Sequence, residues 1–469
     1  MANANSDRCP RYLYSVPSVV TSRIGGPDGR GTVTRMEGDV SHADPVTATP
    51  RCALPPLPAG RHYRYHVMVK PAGALCNLDC PYCFYLHKTD LLQHGRNARM
   101  DEGLLETHIR QYIEAQTGDE VVFSWQGGEP TVMGLDFFRR VVELQARHRK
   151  PGQHIENDLQ TNGLLLDDEW VAFLKAHGFV VGLSVDGTPE LHDRYRPTKG
   201  GEPTYDRVIA AANRLAAAEV PFSLLCVVNR DVARAPLEVY RNLRAIPGSF
   251  RIQFTPCVET RDFKLRAPGL ARPADMPLLG TPRTRPDHPL SIVTEWSVDA
   301  RDYGDFLCAV WAEWLAQDFG RLHINVFETA VAQSLGLPAQ MCTSAPVCGK
   351  AMALEHDGTL YACDHFVYPE YRLGNLREVH QGDLAFADKQ VRFGLAKHDS
   401  LPGHCRRCPH LQLCWGECPK NRLLRAPEGE PGLNYLCEGL ATFYARVARD
   451  MPAIRRRLGV RTPGPIIPN

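Results

Sequence analysis

Six β-rich runs, separated by amphipathic helical stretches, occupy residues 65–255 and constrain the fold more than any other feature. The runs are YHVMV (65–69), EVVFSW (120–125), IENDLQT (155–161), FVVGLSV (179–185), FSLLCVV (222–228) and FRIQFT (250–255). Between them apolar residues recur at helical spacing, as in Leu104, Leu105, His108, Ile109, Tyr112 and Ile113. Phe137/Phe138/Val141/Val142, Trp170/Val171/Phe173/Leu174 and Val208/Ile209/Ala212/Leu215 repeat the pattern. Strand–helix units in succession predict a parallel α/β sheet, closed or partly closed into a barrel. In such barrels chemistry sits in the loops after the C-terminal ends of the strands. CNLDCPYCFYLHK (76–88) follows the first run, and QGGEP (126–130), TNG (161–163) and SVDG (184–187) end the next three. Convergence of these loops predicts a site.

Composition shifts divide the chain. Residues 1–60 are rich in Gly, Pro, Ser, Thr and Arg and are expected to form a disordered extension. GGPDGRG (25–31) resembles a dinucleotide glycine loop only loosely, because no helical pattern follows it. The barrel is assigned to 61–260. A proline-rich insertion, densest over 262–290, and a connecting helix from about Tyr303 to Phe319 fill 261–340. A cysteine-dense second domain, organised by metal, spans 341–440 and contains the strand-like pieces AMALEH and TLYAC. A C-terminal helix and tail complete 441–469.

The chain carries 16 cysteines in 469 residues and a formal net charge of +1. Near-neutral charge gives no bulk attraction to nucleic acid or to an anionic membrane. The first 30 residues lack the apolar core of a secretory signal, and the most apolar stretch, Leu215 to Val228, is broken by Glu219 and Pro221. A reducing, cytoplasmic setting with metal-bound thiolates explains the cysteines better than a disulfide framework.

Cys76, Cys80 and Cys83 offer three thiolates. Structural zinc wants four protein ligands, and His87 is the one fourth candidate beside the trio. An iron–sulfur cubane held by three cysteines would instead leave one iron open to a small chelating ligand. Spacing alone leaves both readings open. Cys342, Cys348, Cys363, Cys405, Cys408, Cys414, Cys418 and Cys437 supply thiolates for two further four-coordinate sites. Cys226 and Cys308 lie in apolar runs and read as small core residues.

The C-x3-C-x2-C spacing, with Tyr82 before the third cysteine, resembles the signature of radical S-adenosylmethionine enzymes. GGEP (127–130) is similar to the element of that family which contacts the methionine amino group. The C-terminal cysteines resemble its twin-cluster SPASM extension. CGKAMALEHDGTLYACDHFVYPEYRLGNL (348–376), WQGGEPT and GEPGLNYLC (429–437) narrow the resemblance, over about 63–450, to the anaerobic sulfatase-maturating enzymes.

The resemblance implies a partial (β/α)6 parallel barrel with a C-terminal SPASM domain. It also implies three 4Fe–4S clusters and S-adenosyl-L-methionine as cofactors. Cys76, Cys80 and Cys83 would hold the first cluster. In the family's interleaved pairing, Cys342, Cys348, Cys363 and Cys418 would hold the second, and Cys405, Cys408, Cys414 and Cys437 the third. Gly127, Gly128 and Glu129, with Asn162, Ser184 and Asp186, would line the cofactor pocket. Tyr85 and Gln126 would contact the substrate peptide, and Asp364 would act as general base. His87 and His365 are expected to hydrogen-bond nearby backbone.

The implied reaction oxidises a Cys or Ser of a C/S-x-P-x-R segment to Cα-formylglycine through a 5′-deoxyadenosyl radical. The implied partners are an unfolded or nascent sulfatase polypeptide and an electron donor such as flavodoxin or ferredoxin, acting on a monomer. Two other readings remain at this level. One is a related maturase that forms thioether or carbon–carbon crosslinks in a small ribosomal peptide. The other is a non-catalytic zinc-binding interaction module, which leaves the GGEP, TNG and SVDG loops without a purpose.

Overall fold

The computed structural model describes residues 65–95 and 98–460. The expected extension over 1–60, with its glycine loop, and the end of the C-terminal tail lie outside the described residues.

The six runs form strands β1 (His66–Lys70), β2 (Glu120–Trp125), β3 (His154–Thr161), β4 (Val180–Ser184), β5 (Phe222–Val228) and β6 (Ser249–Pro256). They pair side by side in chain order, every pair parallel. A short seventh strand, β7 (His323–Ile324), continues the array. Side chains alternate about the sheet: Val67 and Val69, Val121, Phe123 and Trp125, and Val181 and Leu183 are all buried in one apolar core. The amphipathic stretches are helices that cover it. Glu102–Ala115 buries Leu104, Leu105, His108, Ile109, Tyr112 and Ile113, the residues picked out by helical spacing. Asp101 caps that helix by accepting a hydrogen bond from the Leu104 amide. The fold class is as expected, a mixed α/β molecule built on a parallel sheet.

The sheet does not end where the cysteine-dense region begins. β8 (Ala351–Glu355) lies parallel to β1 in the register His66↔Ala351 to Lys70↔Glu355. β9 (Thr359–Tyr361) and β10 (Arg372–Asn375) follow as antiparallel neighbours. Ten strands thus run in the order β10-β9-β8-β1-β2-β3-β4-β5-β6-β7. The connecting helix, Ala300–Gln317, packs against the C-terminal helix, Cys437–Arg457, where Gly304 and Gly439 let the backbones touch. The proline-rich segment is pinned to the cysteine-rich region: Tyr368 Oη donates to the Phe263 carbonyl (2.6 Å) and Tyr371 Oη to that of Pro268 (2.9 Å). Among the described residues no helix is long and apolar enough to cross a membrane.

Candidate active site

The loop after β1 is shaped by the loop after β2. Gly128 N donates to the Gly73 carbonyl (2.9 Å) and Glu129 N to that of Leu75 (2.9 Å). A Cβ on Gly128 would lie 2.2 Å from the Leu75 oxygen, so only glycine permits this approach, and Gly127 adopts φ +125°. The two glycines therefore set the path of the chain that delivers Cys76. Glu129 is buried, and its Oε1 accepts from Thr131 N (3.0 Å), Thr131 Oγ1 (2.6 Å) and Thr161 Oγ1 (2.8 Å). Its Oε2 accepts from Asn162 N (2.7 Å), which ties the β2 loop to the β3 loop. Burial raises the Glu129 carboxyl against the pull of these donors.

Asn162 Nδ2 donates to Asn77 Oδ1 (2.7 Å) and lies 3.9 Å from Cys76 Sγ. Ser184 Oγ accepts from Gln160 Nε2 (3.0 Å) at the end of β4. Asp186, fully buried, accepts from Arg196 Nε (2.8 Å), Val227 N (2.9 Å) and the Tyr82 hydroxyl. Tyr82 lies between Cys80 and Cys83, so this network clamps the cysteine loop from the far side. Neither Arg196 nor Tyr82 is assigned this clamping role by the sequence. Tyr82 is visible only as the aromatic before the third cysteine, and Arg196 has no local signal.

Three observations bear on what the cysteines can hold. The Cys76 thiol is pushed up to about 12, chiefly by burial, and burial raises Cys80 and Cys83 too. Coordination to a metal centre would deprotonate such thiols at neutral pH. Backbone amides point at the sulfurs: Leu78 N to Cys76 Sγ and Tyr85 N to Cys83 Sγ, both 3.4 Å. The spacing is also informative. Thiolates on one tetrahedral zinc sit about 3.8 Å apart, given Zn–S near 2.3 Å. Among the described residues no three cysteine sulfurs converge within 4.8 Å. Three thiolates match the ligand count of an iron–sulfur centre that keeps one iron open.

The distal cysteines gather in two groups. Cys363 lies in the field of Cys418, Cys342 and Cys348, and Cys437 in that of Cys405, Cys414 and Cys408. Cys414 and Cys418 diverge because Trp415, Gly416 and Glu417 are three successive left-handed residues, with φ of 47°, 68° and 50°. Lys397 is buried beside the first group, donating to the carbonyls of Cys342 (2.6 Å) and Thr343 (2.7 Å). Arg422 stands near Cys405, Cys348 and Cys418. Both place positive charge where thiolates would accumulate, and neither carries a sequence signal.

Asp364 follows Cys363 directly and faces the end of β1, where Lys70 Nζ lies 2.5 Å from Oδ1. The parallel β1–β8 pairing makes this meeting between residues far apart in the chain. Burial alone would raise the Asp364 carboxyl, but Lys70, with His365 and Lys88 behind it, holds it below the usual carboxylate range. Tyr85 is buried, with its hydroxyl donating to Glu355 and its ring 4.8 Å from Lys70 Nζ. Gln126 sits half-buried at the end of β2, its amide bonded to the Val69 carbonyl (2.8 Å). Tyr85, Lys70 and Asp364 are thus neighbours.

The two histidines depart from expectation. Among the described residues neither ring nitrogen of His87 has a hydrogen-bond partner; the ring packs edge-on against Phe263 at 5.1 Å, and burial lowers it to about 3. His365 Nδ1 meets Cys418 Sγ at 3.7 Å rather than backbone.

Comparisons with known proteins follow this geometry. The Radical SAM superfamily model matches residues 72–241, and the SPASM model, an iron–sulfur cluster-binding domain, matches 342–409. The chain is 38% identical to the serine-type anaerobic sulfatase-maturating enzyme of Bacteroides thetaiotaomicron over 84% of its length and 92% of the relative's. It is 30% identical to the cysteine-type anaerobic sulfatase-maturating enzyme of Clostridium perfringens over 81% and 95% of the two chains. A solved structure of native anSMEcpe with bound AdoMet and Kp18Cys peptide superposes with a TM-score of 0.70 at 28% identity, covering 84% of this chain and 99% of that one. A multi-iron thiolate site at the mouth of a parallel sheet, a cysteine-rich region fused to that sheet, and likeness over nearly the whole of these relatives lead to one conclusion: the chain belongs to the anaerobic sulfatase-maturating enzymes of the radical S-adenosylmethionine superfamily.

Proposed function

We propose that this protein oxidises the Cβ of a cysteine or serine in a C/S-x-P-x-R segment of a sulfatase polypeptide, giving Cα-formylglycine. The observation that carries the reading is Asp364, ionised by Lys70, adjacent to a cysteine of one distal group and next to Tyr85 of the β1 loop. Cys76, Cys80 and Cys83 would hold one 4Fe–4S cluster, the Cys342/Cys348/Cys363/Cys418 group a second, and the Cys405/Cys408/Cys414/Cys437 group a third. When bound, the clusters and S-adenosylmethionine supply the 5′-deoxyadenosyl radical and the one-electron acceptance that a two-electron oxidation needs.

The chain's own groups do the rest. Gly127 and Gly128 let the β1 and β2 loops close on each other, which sets the Cys76 loop beside the cofactor pocket that they would line. Glu129 holds the β2 and β3 loops in register, and Asn162, Ser184 and Asp186 fix the walls. Tyr85 and Gln126 orient the peptide. Asp364 takes the proton from the target thiol or hydroxyl, and Lys70 keeps the carboxylate charged so that it can accept. We assign the barrel to 61–260, the connecting segment to 261–340, the SPASM domain to 341–440 and the terminal helix to 441 onward. The enzyme acts as a cytoplasmic monomer on unfolded or nascent chains, reduced by a flavodoxin- or ferredoxin-type donor.

The test is an anaerobic reaction of reconstituted protein, S-adenosylmethionine, reductant and paired Cys-x-Pro-x-Arg and Ser-x-Pro-x-Arg peptides, with aldehyde trapped by a hydrazine and read by mass spectrometry. Aldehyde should form, falling about 10²–10⁴-fold in Asp364→Asn and vanishing in Cys76→Ala. Deoxyadenosine released without any peptide aldehyde would reject the substrate.

A further inference from the structure

Behind Tyr85 lies a second donor cluster that the reaction above does not use. His94, Glu355 and His356 each offer one ligand atom, and these atoms all lie within 4.8 Å of one another. Glu355 is fully buried at the end of β8, and the two histidines are nearly covered. Its carboxylate is divided: Oε1 takes the Tyr85 hydroxyl, and Oε2 faces His356 Nδ1 at 3.4 Å and His94 Nδ1 at 3.9 Å. Gly73 closes the fourth side, and a side chain there would sit 2.9 Å from His356 Nδ1 and 3.4 Å from Glu355 Oε2. We propose that His94, His356 and Glu355 form a binding site for one divalent cation of the zinc class, and that the ion fixes Tyr85 through Glu355.

The geometry favours an ion over a set of plain hydrogen bonds. Nitrogen and oxygen donors about 2.0–2.1 Å from a tetrahedral zinc stand about 3.3 Å apart; Glu355 Oε2 is 3.4 Å from His356 Nδ1 and 3.9 Å from His94 Nδ1, and the whole set lies within 4.8 Å. Two imidazoles with one carboxylate suit first-row divalent metals. The outer contacts are those that such a site requires. His94 Nε2 lies 3.7 Å from Asp357 Oδ2, and Asp357 is itself held by Thr359 N (2.9 Å) and Thr359 Oγ1 (3.0 Å). A carboxylate behind a ligating histidine fixes the ring and strengthens it as a ligand. Glu355 gains the positive charge that a buried carboxylate needs. The site also bridges the two parts of the sheet, because Glu355 is opposite Lys70 in the β1–β8 register. An ion here would lock the base of the Cys76 loop to the strand that leads to Asp364.

The experiment uses the full chain with its clusters. The protein is equilibrated with one equivalent of zinc sulfate, passed through gel filtration, and assayed for zinc, iron and sulfide, with zinc K-edge absorption on the same sample. We expect one zinc per chain in an imidazole and oxygen shell, with iron and sulfide unchanged. His94→Ala and His356→Ala, made separately so that one misfolded variant does not decide the matter, and Glu355→Gln should each weaken retention at least tenfold. His154→Ala, at an exposed position on β3, should not. Zinc held equally by wild type and all variants, zinc with sulfur neighbours at about 2.3 Å, or no retained zinc would each overturn the site. The trio would then be an imidazolium–carboxylate clamp. None of these readouts depends on sulfatase maturation.

Discussion

Asp364 shows how a single carboxylate is tuned by a partner on another strand. Its carboxyl is held below the ordinary range because Lys70, together with His365 and Lys88, overcomes the upward push of burial. The sign is that of a depressed acid: the stabilisation from the pair is present above the unfolded value near 3.9 and is lost as pH falls through the lower folded value. Catalysis should follow the same group, so the acid limb of kcat/KM lies below the usual carboxylate range. Lys70→Met removes the chief group that opposes burial. It should move that limb to higher pH, with the alkaline limb unmoved, and cost about 3–5 kcal/mol of stability near neutral pH, as expected when one partner of a buried pair is removed. A pH–rate profile beside a denaturant titration checks both, and an acid limb that stays in place would remove Lys70 from the account. Asp186 and Glu129 behave differently. Both carboxylates accept hydrogen bonds from more than one loop, so each ties loops together at the strand ends.

At the scale of elements, strand ends do the positioning. The β2 loop sets the β1 loop through two backbone hydrogen bonds and one glycine contact, and the β3 loop is tied to it through Glu129. Gly128→Ala places a methyl group 2.2 Å from a backbone oxygen, with no flexible side chain to yield. The expected outcome is displacement of the Cys76 loop and loss of one cluster's iron, roughly four of about twelve atoms for three cubanes, with the distal groups still loaded. Iron quantitation against Cys76→Ala checks this. A full iron complement in Gly128→Ala would show that the loop tolerates the shift. The turn through Trp415, Gly416 and Glu417 is the distal counterpart, sending Cys414 and Cys418 to different groups. Glu417 is held there by Asn421 Nδ2 (3.1 Å) and Asn434 Nδ2 (2.8 Å).

Across the whole molecule, the parallel array was legible because each strand is a short apolar run ended by a loop of distinctive chemistry. Run boundaries matched within a residue or two, as in EVVFSW, which is β2 without change. The division of the distal cysteines into two groups, with Asp364 directly after a member of one, agrees with what the family resemblance implied. What stayed hidden was pairing at long range. Nothing in the local pattern of HVMVK or AMALE says that β1 and β8 will lie side by side, and that pairing creates both the Lys70–Asp364 ion pair and the Glu355 cluster. For the same reason a cysteine-rich region that reads as a separate domain extends the barrel's own sheet. The proline-rich segment, irregular in sequence, is tied down by tyrosine hydroxyls of the cysteine-rich region.

Formylglycine formation requires that hydrogen leave the target Cβ and that the peptide become an aldehyde in the same turnover. The direct measurement is a single-turnover anaerobic reaction on a peptide deuterated at the Cβ of its Cys or Ser. The 5′-deoxyadenosine and the peptide are both weighed. One deuterium in deoxyadenosine is expected for each aldehyde formed. Deuterium in deoxyadenosine with a peptide that has lost two hydrogens but shows no aldehyde would contradict formylglycine formation and point to crosslinking. Aldehyde with unlabelled deoxyadenosine would contradict abstraction from that carbon.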